Sequence, residues 1–230
     1  MKGFLGWCCF LSLGALTMSV EPYFEDTNLI LEEDILGFNG QPYGLQLSVF
    51  EKSLLQPYFN AIIDVSRGKL FHYGVPKAIF TQTILEGQAG YSIPMNRQDI
   101  FRFTPFSGLG VYYQRLQGWD KTASFYIPLG LCIDYHLGSY FTVSSVATLL
   151  PQIQTFRQTQ DSFFQKIPSS IGFRWEIPLL LSLDPYNYVA LSVTPFYQYI
   201  PFGAPPFSAL LATKTELQQI GLRAGFDAQF

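Results

Sequence analysis

The chain has 230 residues and a formal net charge of −3, from 14 basic and 17 acidic side chains. This length leaves room for one domain of ordinary size, and the balance of charge excludes a strongly basic face for binding nucleic acid. Only 13% of the residues are charged while 17% are aromatic, an unusual combination for a protein whose whole surface meets water.

Residues 1–19 have the features of a secretory signal peptide. Lys2 supplies a positive start, and an apolar stretch runs from Phe4 to Leu16. That stretch is shorter than the ~20 residues that a helix needs to cross a bilayer. We therefore expect cleavage before Val20 and export of the rest. Cys132 is then the only cysteine of the exported part, so neither an internal disulfide nor a thiolate metal site is expected.

Residues 20–57 contain one segment with the alternation of a β-strand. Apolar side chains at Tyr43, Leu45, Leu47 and Val49 alternate with polar side chains between them. If this segment alone joined the sheet predicted below for residues 58–230, the number of strands would be odd. The segment therefore either pairs with a weak strand near Asn28 to Leu36, or lies outside the wall, in the periplasm or the lumen.

Residues 58–230 carry eight segments in which apolar side chains alternate with small or polar ones. Such alternation is expected of strands with one face in lipid and one face in a lumen. We predict an all-β fold, a closed antiparallel transmembrane β-barrel, with eight strands as the favoured number and ten as the alternative. The eight segments are Phe59–Val65, Thr81–Ile93, Ile100–Arg115, Ser124–Leu137, Phe141–Leu149, Ile167–Ile177, Tyr188–Gln198 and Glu216–Phe230.

The charged residues of these segments share the parity of the polar face, apart from Arg115 at a rim. A charge on a lipid-facing position near the bilayer midplane costs ~2–4 kcal/mol, so a membrane would select this arrangement. A soluble sandwich or lipocalin-like barrel, with the apolar face turned inward, remains the alternative. In the membrane barrel, the charges form a lumen network of ion pairs that leaves little conductance. Its members are Asp64, Glu86, Arg102, Asp134, Arg174, Glu176, Arg223 and Asp227.

The connections between segments alternate in length, with the longer ones expected outside the cell. If Phe230 lies at the periplasmic end, the outer loops are Ser66–Phe80, Leu116–Ala123, Leu150–Lys166 and Tyr199–Thr215.

The last ten residues, Gly221 to Phe230, resemble the insertion signal that closes outer-membrane barrels. The segments Thr104–Tyr113 and Gly130–Tyr135 are similar to strands of the small opacity-like, OmpX-like and OmpA-type barrels. The resemblance implies that the barrel-assembly machinery reads Leu222, Phe226 and Phe230. It also implies an integral location in a bacterial outer membrane, among outer-membrane lipid and lipopolysaccharide.

The resemblance leaves the activity open, because such barrels differ widely in function. Our first hypothesis is a structural or adhesin-like role, in which the outer loops meet a host or envelope partner. The second is a small pore or conduit for small or hydrophobic molecules. The third is a lipid A-modifying enzyme, for which only His72 and His136 could be the base, and Ser139 does not have the His-x-Ser spacing of a lipid A deacylase. No catalytic residue, metal or cofactor is predicted.

Overall fold

One antiparallel β-sheet closes on itself to form a barrel in the computed structural model, which describes residues 16–31, 36–51, 57–72, 75–95, 100–118, 120–159, 165–184, 189–202 and 215–229. Its segments group into ten wall strands. These are β1 (Leu16–Leu31), β2 (Leu36–Gly40 and Tyr43–Glu51), β3 (Pro57–His72), β4 (Val75–Tyr91 and Ile93–Pro94), β5 (Phe101–Leu116), β6 (Asp120–Tyr126 and Leu129–Leu137), β7 (Phe141–Thr159), β8 (Gln165–Ile167, Ile171–Glu176 and Leu179–Ser182), β9 (Val189–Phe202) and β10 (Thr215–Gln229).

The barrel is closed by pairing between its first and last strands. Thr17 in β1 lies opposite Gln229 in β10, and Ile30 lies opposite Glu216. The other edge of β1 pairs with β2. Closure satisfies the hydrogen-bonding groups of both edges, as a sheet within lipid requires, because no water is there to replace them.

The described residues place ten strands in the ring, so the preference for eight was wrong and the alternative of ten describes the barrel. Residues 16–51 supply the two additional strands, which lie in the wall between β10 and β3. The predicted signal peptide stays a prediction. Residues 1–15 lie outside the described residues. Leu16 to Ser19, the last four residues of the predicted leader, are the first paired residues of β1.

Prolines coincide with the interruptions of three wall strands. Proline has no N–H to donate to the ladder, so each proline removes one ladder hydrogen bond. Some prolines stay within paired segments, namely Pro22, Pro105, Pro151 and Pro195. Pro42 lies in the break of β2, Pro128 in that of β6, and Pro168 and Pro178 in the two breaks of β8. Next to Pro128, the register between β6 and β7 shifts at Gln152/Gln154.

Over one half of the barrel, the outer face is apolar and the inner face is polar. We call the end with Leu16 and Gln229 the base end and the opposite end the distal end. On this apolar half, the outward side chains of Phe24 (74% exposed), Leu222 (51%) and Phe226 (60%) leave much of their surface uncovered by protein. The inward neighbours of these residues, including Glu21 and Arg223, are buried. This arrangement is the reverse of a soluble barrel and is the one expected within lipid.

The polarity of the two faces reverses towards the distal end, although the parity of a strand such as β3 does not change. Along β3, the outward residues pass from Ile63 and Val65 to Arg67 and Lys69, while the inward side becomes apolar at Leu70. β7 has 19 residues, well beyond the ~9–11 that span a bilayer. The distal half of the wall therefore has the side-chain distribution of a barrel in water.

The long strands change the prediction for the outer loops. Most of Ser66–Phe80 and Leu150–Lys166 belongs to strands, because β3 continues to His72 and β4 begins at Val75. Likewise, β5 and β6 extend into Leu116–Ala123. Sequence reasoning ended each strand where the outer face became polar, whereas the ladder continues there with an apolar interior.

Candidate functional site

The interior of the barrel is the candidate site, and it is built in layers between the base end and the distal end. The layer nearest the base end surrounds a cavity of about 170 Å³. Its polar lining includes Ser48, Tyr58, Arg102 and Asp134. Arg102 and Asp134 are register partners on β5 and β6, and Ser144 donates a hydrogen bond to Asp134 at 2.5 Å.

An ion network forms the next layer and crosses the lumen. The Arg174 Nη2 atom lies 2.7 Å from Glu86 Oε1, and Arg174 Nε lies 3.9 Å from Glu176. Arg223 pairs with Glu176 and, at 3.6 Å, with Glu21. Because β4, β8 and β10 each contribute to these pairs, the network ties distant parts of the wall together across the interior.

Two tyrosines complete this network from opposite sides of the lumen. Tyr126 donates a hydrogen bond to Glu86 at 2.6 Å, and Tyr23 donates one to Asp64 at 2.5 Å. The guanidinium of Arg223 also lies 4.6 Å from the ring centre of Phe196, within the range of a cation–π contact. The buried charges are therefore held by hydrogen bonds and aromatic rings as well as by one another.

A layer of glutamines lies above the ion network. Gln219 donates hydrogen bonds of 2.8 Å to Gln82 and Glu25, and Gln198 donates one of 3.0 Å to Gln219. These side chains come from β1, β4, β9 and β10, so neutral amides span the lumen at this level. Amide groups can donate and accept at once, which suits them to a filled interior without water.

A layer of apolar side chains closes the interior at the distal end, and we call it the distal plug. Its members are at most 1% exposed. Several are direct cross-strand neighbours, with Leu29 opposite both Phe38 and Leu217, and Phe80 opposite Leu116. The members are Leu29, Phe38, Leu70, Phe80, Leu116, Phe202 and Leu217.

The structure places all eight sequence-predicted lumen charges on the inner face. Glu86, Arg174, Glu176 and Arg223 come together in the ion network, and Asp64 accepts the hydrogen bond of Tyr23. Arg102 and Asp134 line the base cavity, as does Asp227. Glu176 and Arg223 also line this cavity, so the predicted set extends from the base cavity into the ion network.

Sequence reasoning missed Glu21 and Glu25, which also lie on the inner face. Both belong to β1, which was not assigned to the wall. The parity of Glu21, Tyr23 and Glu25 against Val20 and Phe24 was the signal that could have identified them.

The two candidate bases for an enzyme lie far apart in the wall. The His72 Nδ1 atom lies 2.7 Å from the Gly37 carbonyl oxygen at the distal end. His136 Nδ1 is 2.9 Å from the Thr142 hydroxyl next to the base-end turn that contains Ser139. Among the described residues, no group of three His, Cys, Asp or Glu side chains is arranged to hold a metal ion.

The residues of the predicted insertion signal lie on the outer face where the structure describes them. Leu222 and Phe226 point outward from β10, and Phe230 lies outside the described residues. Their reading by the barrel-assembly machinery stays a prediction. No helix among the described residues is long and apolar enough to cross a membrane.

Comparison with known proteins identifies the fold. No protein-family model and no curated protein matches the chain. Among solved structures, the outer membrane protease OmpT from Escherichia coli aligns with a TM-score of 0.62 at 8% identity, over 94% of this chain and 97% of that chain. The transport unit of the autotransporter AIDA-I from Escherichia coli aligns at 0.49 (8% identity, 91% and 89% covered) and Neisserial surface protein A at 0.39 (14% identity, 93% and 97% covered).

The likeness to OmpT shows a common fold and, at this identity, carries no information on activity. The chain has the closed antiparallel fold of outer-membrane β-barrels, and this fold points to a bacterial outer membrane as its location.

Proposed function

We propose that this barrel is a non-conducting outer-membrane protein whose distal half stands above the bilayer as a rigid surface for interaction with a host or envelope partner. The distal plug is the observation that carries the proposal. Leu29, Leu70, Phe80 and Phe202 are each completely buried inside the barrel, so the interior at this level has the packing of a protein core. Ions do not cross a layer from which water is excluded.

The layers beneath the plug support the same function. The cross-lumen hydrogen bonds of Gln219 and the ion pairs of Arg174 and Arg223 join side chains that a water-filled pore would keep apart. Side chains nearly fill small barrels, whereas aqueous channels need many more strands.

The outer face of the distal half supports the interaction role. Arg115 and Lys121 lie on this face, directly opposite each other. Because these residues belong to hydrogen-bonded strands, a partner would meet a preformed surface and little conformational entropy would be lost on binding. In our proposal, the distal ends of the strands therefore bind the partner, in place of the outer loops expected from the sequence.

Planar-bilayer recordings and cell adherence test the two parts of the proposal. We expect the purified protein to give no stable single-channel current, and cells that produce it to adhere to host cells more than cells without it. The variant R115E/K121E should lose adherence, whereas Y140S, at a base-end turn, should keep it. Large stable currents would contradict the first part, and equal adherence with and without the protein would contradict the second.

The conduit and the lipid A enzyme stay as alternatives that separate measurements check. A conduit for hydrophobic molecules predicts uptake that depends on the protein even without ionic current. An enzyme predicts altered lipid A in mass spectra of cells that produce the protein, or hydrolysis of added peptides if the likeness to OmpT extends to activity.

A further inference from the structure

A cleft of about 1160 Å³ lies on the outer surface of the wall, across the strands from β9 through β10 and β1 to β4. Most of its lining side chains are outward-facing residues of the distal half. They include Tyr43, Arg67, Lys69 and Tyr197. The cleft is distinct from the barrel interior and plays no part in the proposed surface role of Arg115 and Lys121.

Two cations lie side by side in this cleft. Arg67 and Lys69 are two residues apart on β3 and both are exposed, so their side chains leave the same face of the strand about 6–7 Å apart. Within the part of the chain that the structure describes, no ion pair joins either of them to a carboxylate. Asp26, the carboxylate of the lining, lies on the β1 side of the cleft. The pair is placed to bind a phosphate, which accepts charge-assisted hydrogen bonds from arginine and lysine.

Amide side chains contribute to the lining of the cleft beside the apolar side chains of Phe71, Ile79 and Ile220. Asn28, Asn39, Gln41 and Gln218 all contribute to the lining. Side-chain amides donate and accept hydrogen bonds, so they can bind the hydroxyl groups of a sugar, while the apolar side chains can pack against its ring.

The position of the cleft indicates that the phosphate and the sugar belong to a lipid. Tyr43 is the register partner of both Arg67 and Phe24, and Tyr197 is the register partner of Ile220. These residues mark the upper edge of the apolar outer face, and tyrosines are typical of the boundary between membrane and water. A headgroup in the cleft would therefore have its acyl chains against the apolar wall below.

We propose that this cleft binds a phosphorylated glycolipid of the surrounding leaflet. Arg67 and Lys69 bind its phosphate, the amides bind its sugar hydroxyls, and the wall below Tyr43 and Tyr197 packs against its acyl chains. The inference rests on the proposed placement of the distal end at the cell surface, because lipid A, the phosphorylated glycolipid of the outer leaflet, is the ligand of this class.

Native mass spectrometry of the full chain in detergent tests the proposal, with lipid A, dephosphorylated lipid A and phosphatidylglycerol as three separate probes. We expect lipid A to bind more tightly than either of the other two. The variant R67Q/K69Q should bind lipid A about tenfold more weakly, the loss of one to two charge-assisted contacts. The control K166Q removes an exposed positive charge outside the cleft and should bind as the unchanged protein does.

The charge-preserving variant R67K/K69R separates charge from folding. It should retain lipid A binding within about threefold, because both cations form charge-assisted hydrogen bonds with phosphate, and heat-modifiable migration on gels should show that each variant folds. Equal binding of lipid A by R67Q/K69Q and by the unchanged protein would overturn the assignment of the cleft. Equal binding of phosphatidylglycerol and lipid A would overturn the assignment of a glycolipid as the ligand. Neither outcome depends on conductance or adherence, so the proposed function is tested independently.

Discussion

At the scale of single residues, glycines in the wall make room for the inward aromatic rings that hold the interior together. Tyr23 lies directly opposite Gly44, Phe106 opposite Gly130, Tyr126 opposite Gly110 and Phe196 opposite Gly221. In each pair the ring occupies the place where a Cβ of the glycine would be. The ring therefore packs directly against the wall. In Tyr126, this position allows the hydroxyl to donate its hydrogen bond to Glu86.

Replacing Gly110 by leucine should displace the ring of Tyr126 and its hydrogen bond to Glu86. We expect a loss of about 1–3 kcal/mol in the free energy of unfolding, the usual effect of overpacking. Urea titration of the protein in lipid vesicles measures this loss. The control is Gly87→Ala, since a Cβ at Gly87 meets no atom within 4 Å. Equal stability of the two variants would show that the ring of Tyr126 has space to move.

At the scale of the strands, one parity serves two environments. On β4, Thr81 and Leu85 are both on the outer face, yet Leu85 belongs to the apolar half and Thr81 to the polar half. On the inner face of the same strand, Phe80 is in the distal plug while Glu86 is in the ion network. A strand of 17 residues can thus stabilise the bilayer-embedded part and the part above it without any change in its pairing.

Cysteine labelling in intact cells checks this division along a strand. In a background without Cys8, Cys9 and Cys132, we expect a water-soluble maleimide to label Thr81→Cys rapidly and Leu85→Cys at least about tenfold more slowly, because lipid covers Leu85. Arg115 and Leu109 on β5 give a second pair of positions, one in each half of the wall.

On β5, Arg115→Cys should label like Thr81→Cys, and Leu109→Cys, at a position 69% exposed in the protein alone, should stay unlabelled. Rapid labelling at Leu109 would place that part of the wall in water. Labelling of Thr81→Cys only after the cells are opened would place the distal end on the periplasmic side.

At the scale of the whole molecule, closure depends on the two N-terminal strands. β1 pairs with β10 over most of its length and with β2 on its other edge, while β2 pairs with β3. Without these two strands, β3 and β10 would be open edges, which lipid does not tolerate. β1 also supplies Glu21, Tyr23 and Glu25 to the interior layers.

Deleting residues 20–51 should therefore abolish the folded barrel, with the leader kept for export. Gel mobility before and after boiling measures folding, and we expect the deleted protein to migrate identically in both states. Supplying residues 16–51 as a separate peptide during refolding is the control and should restore part of the heat-modifiable form. A heat-modifiable protein without these residues would support an eight-stranded ring.

Much of the barrel could be predicted from the sequence because alternation is a local property. In Ser124–Leu137 and in Gly221 to Gln229, successive side chains differ in polarity, and the chain needs no distant partner to display this. The closed antiparallel class and the inner parity of residues such as Asp134 and Arg223 followed directly. The resemblance of the C-terminal segment also pointed to the outer membrane, and the barrel fold points to the same location.

The number of strands and the contents of the lumen were decided only by the tertiary structure. β1 exchanges an apolar outer face for Asp26 and Asn28 midway, and contains Pro22, so its alternation is visible only once β10 and β2 lie beside it. Likewise, Leu29, Leu70 and Phe202 are far apart in sequence and form a plug only because closure brings their strands around one axis. Local patterns determine which way a side chain points, whereas the neighbours that it meets across the lumen depend on the whole ring.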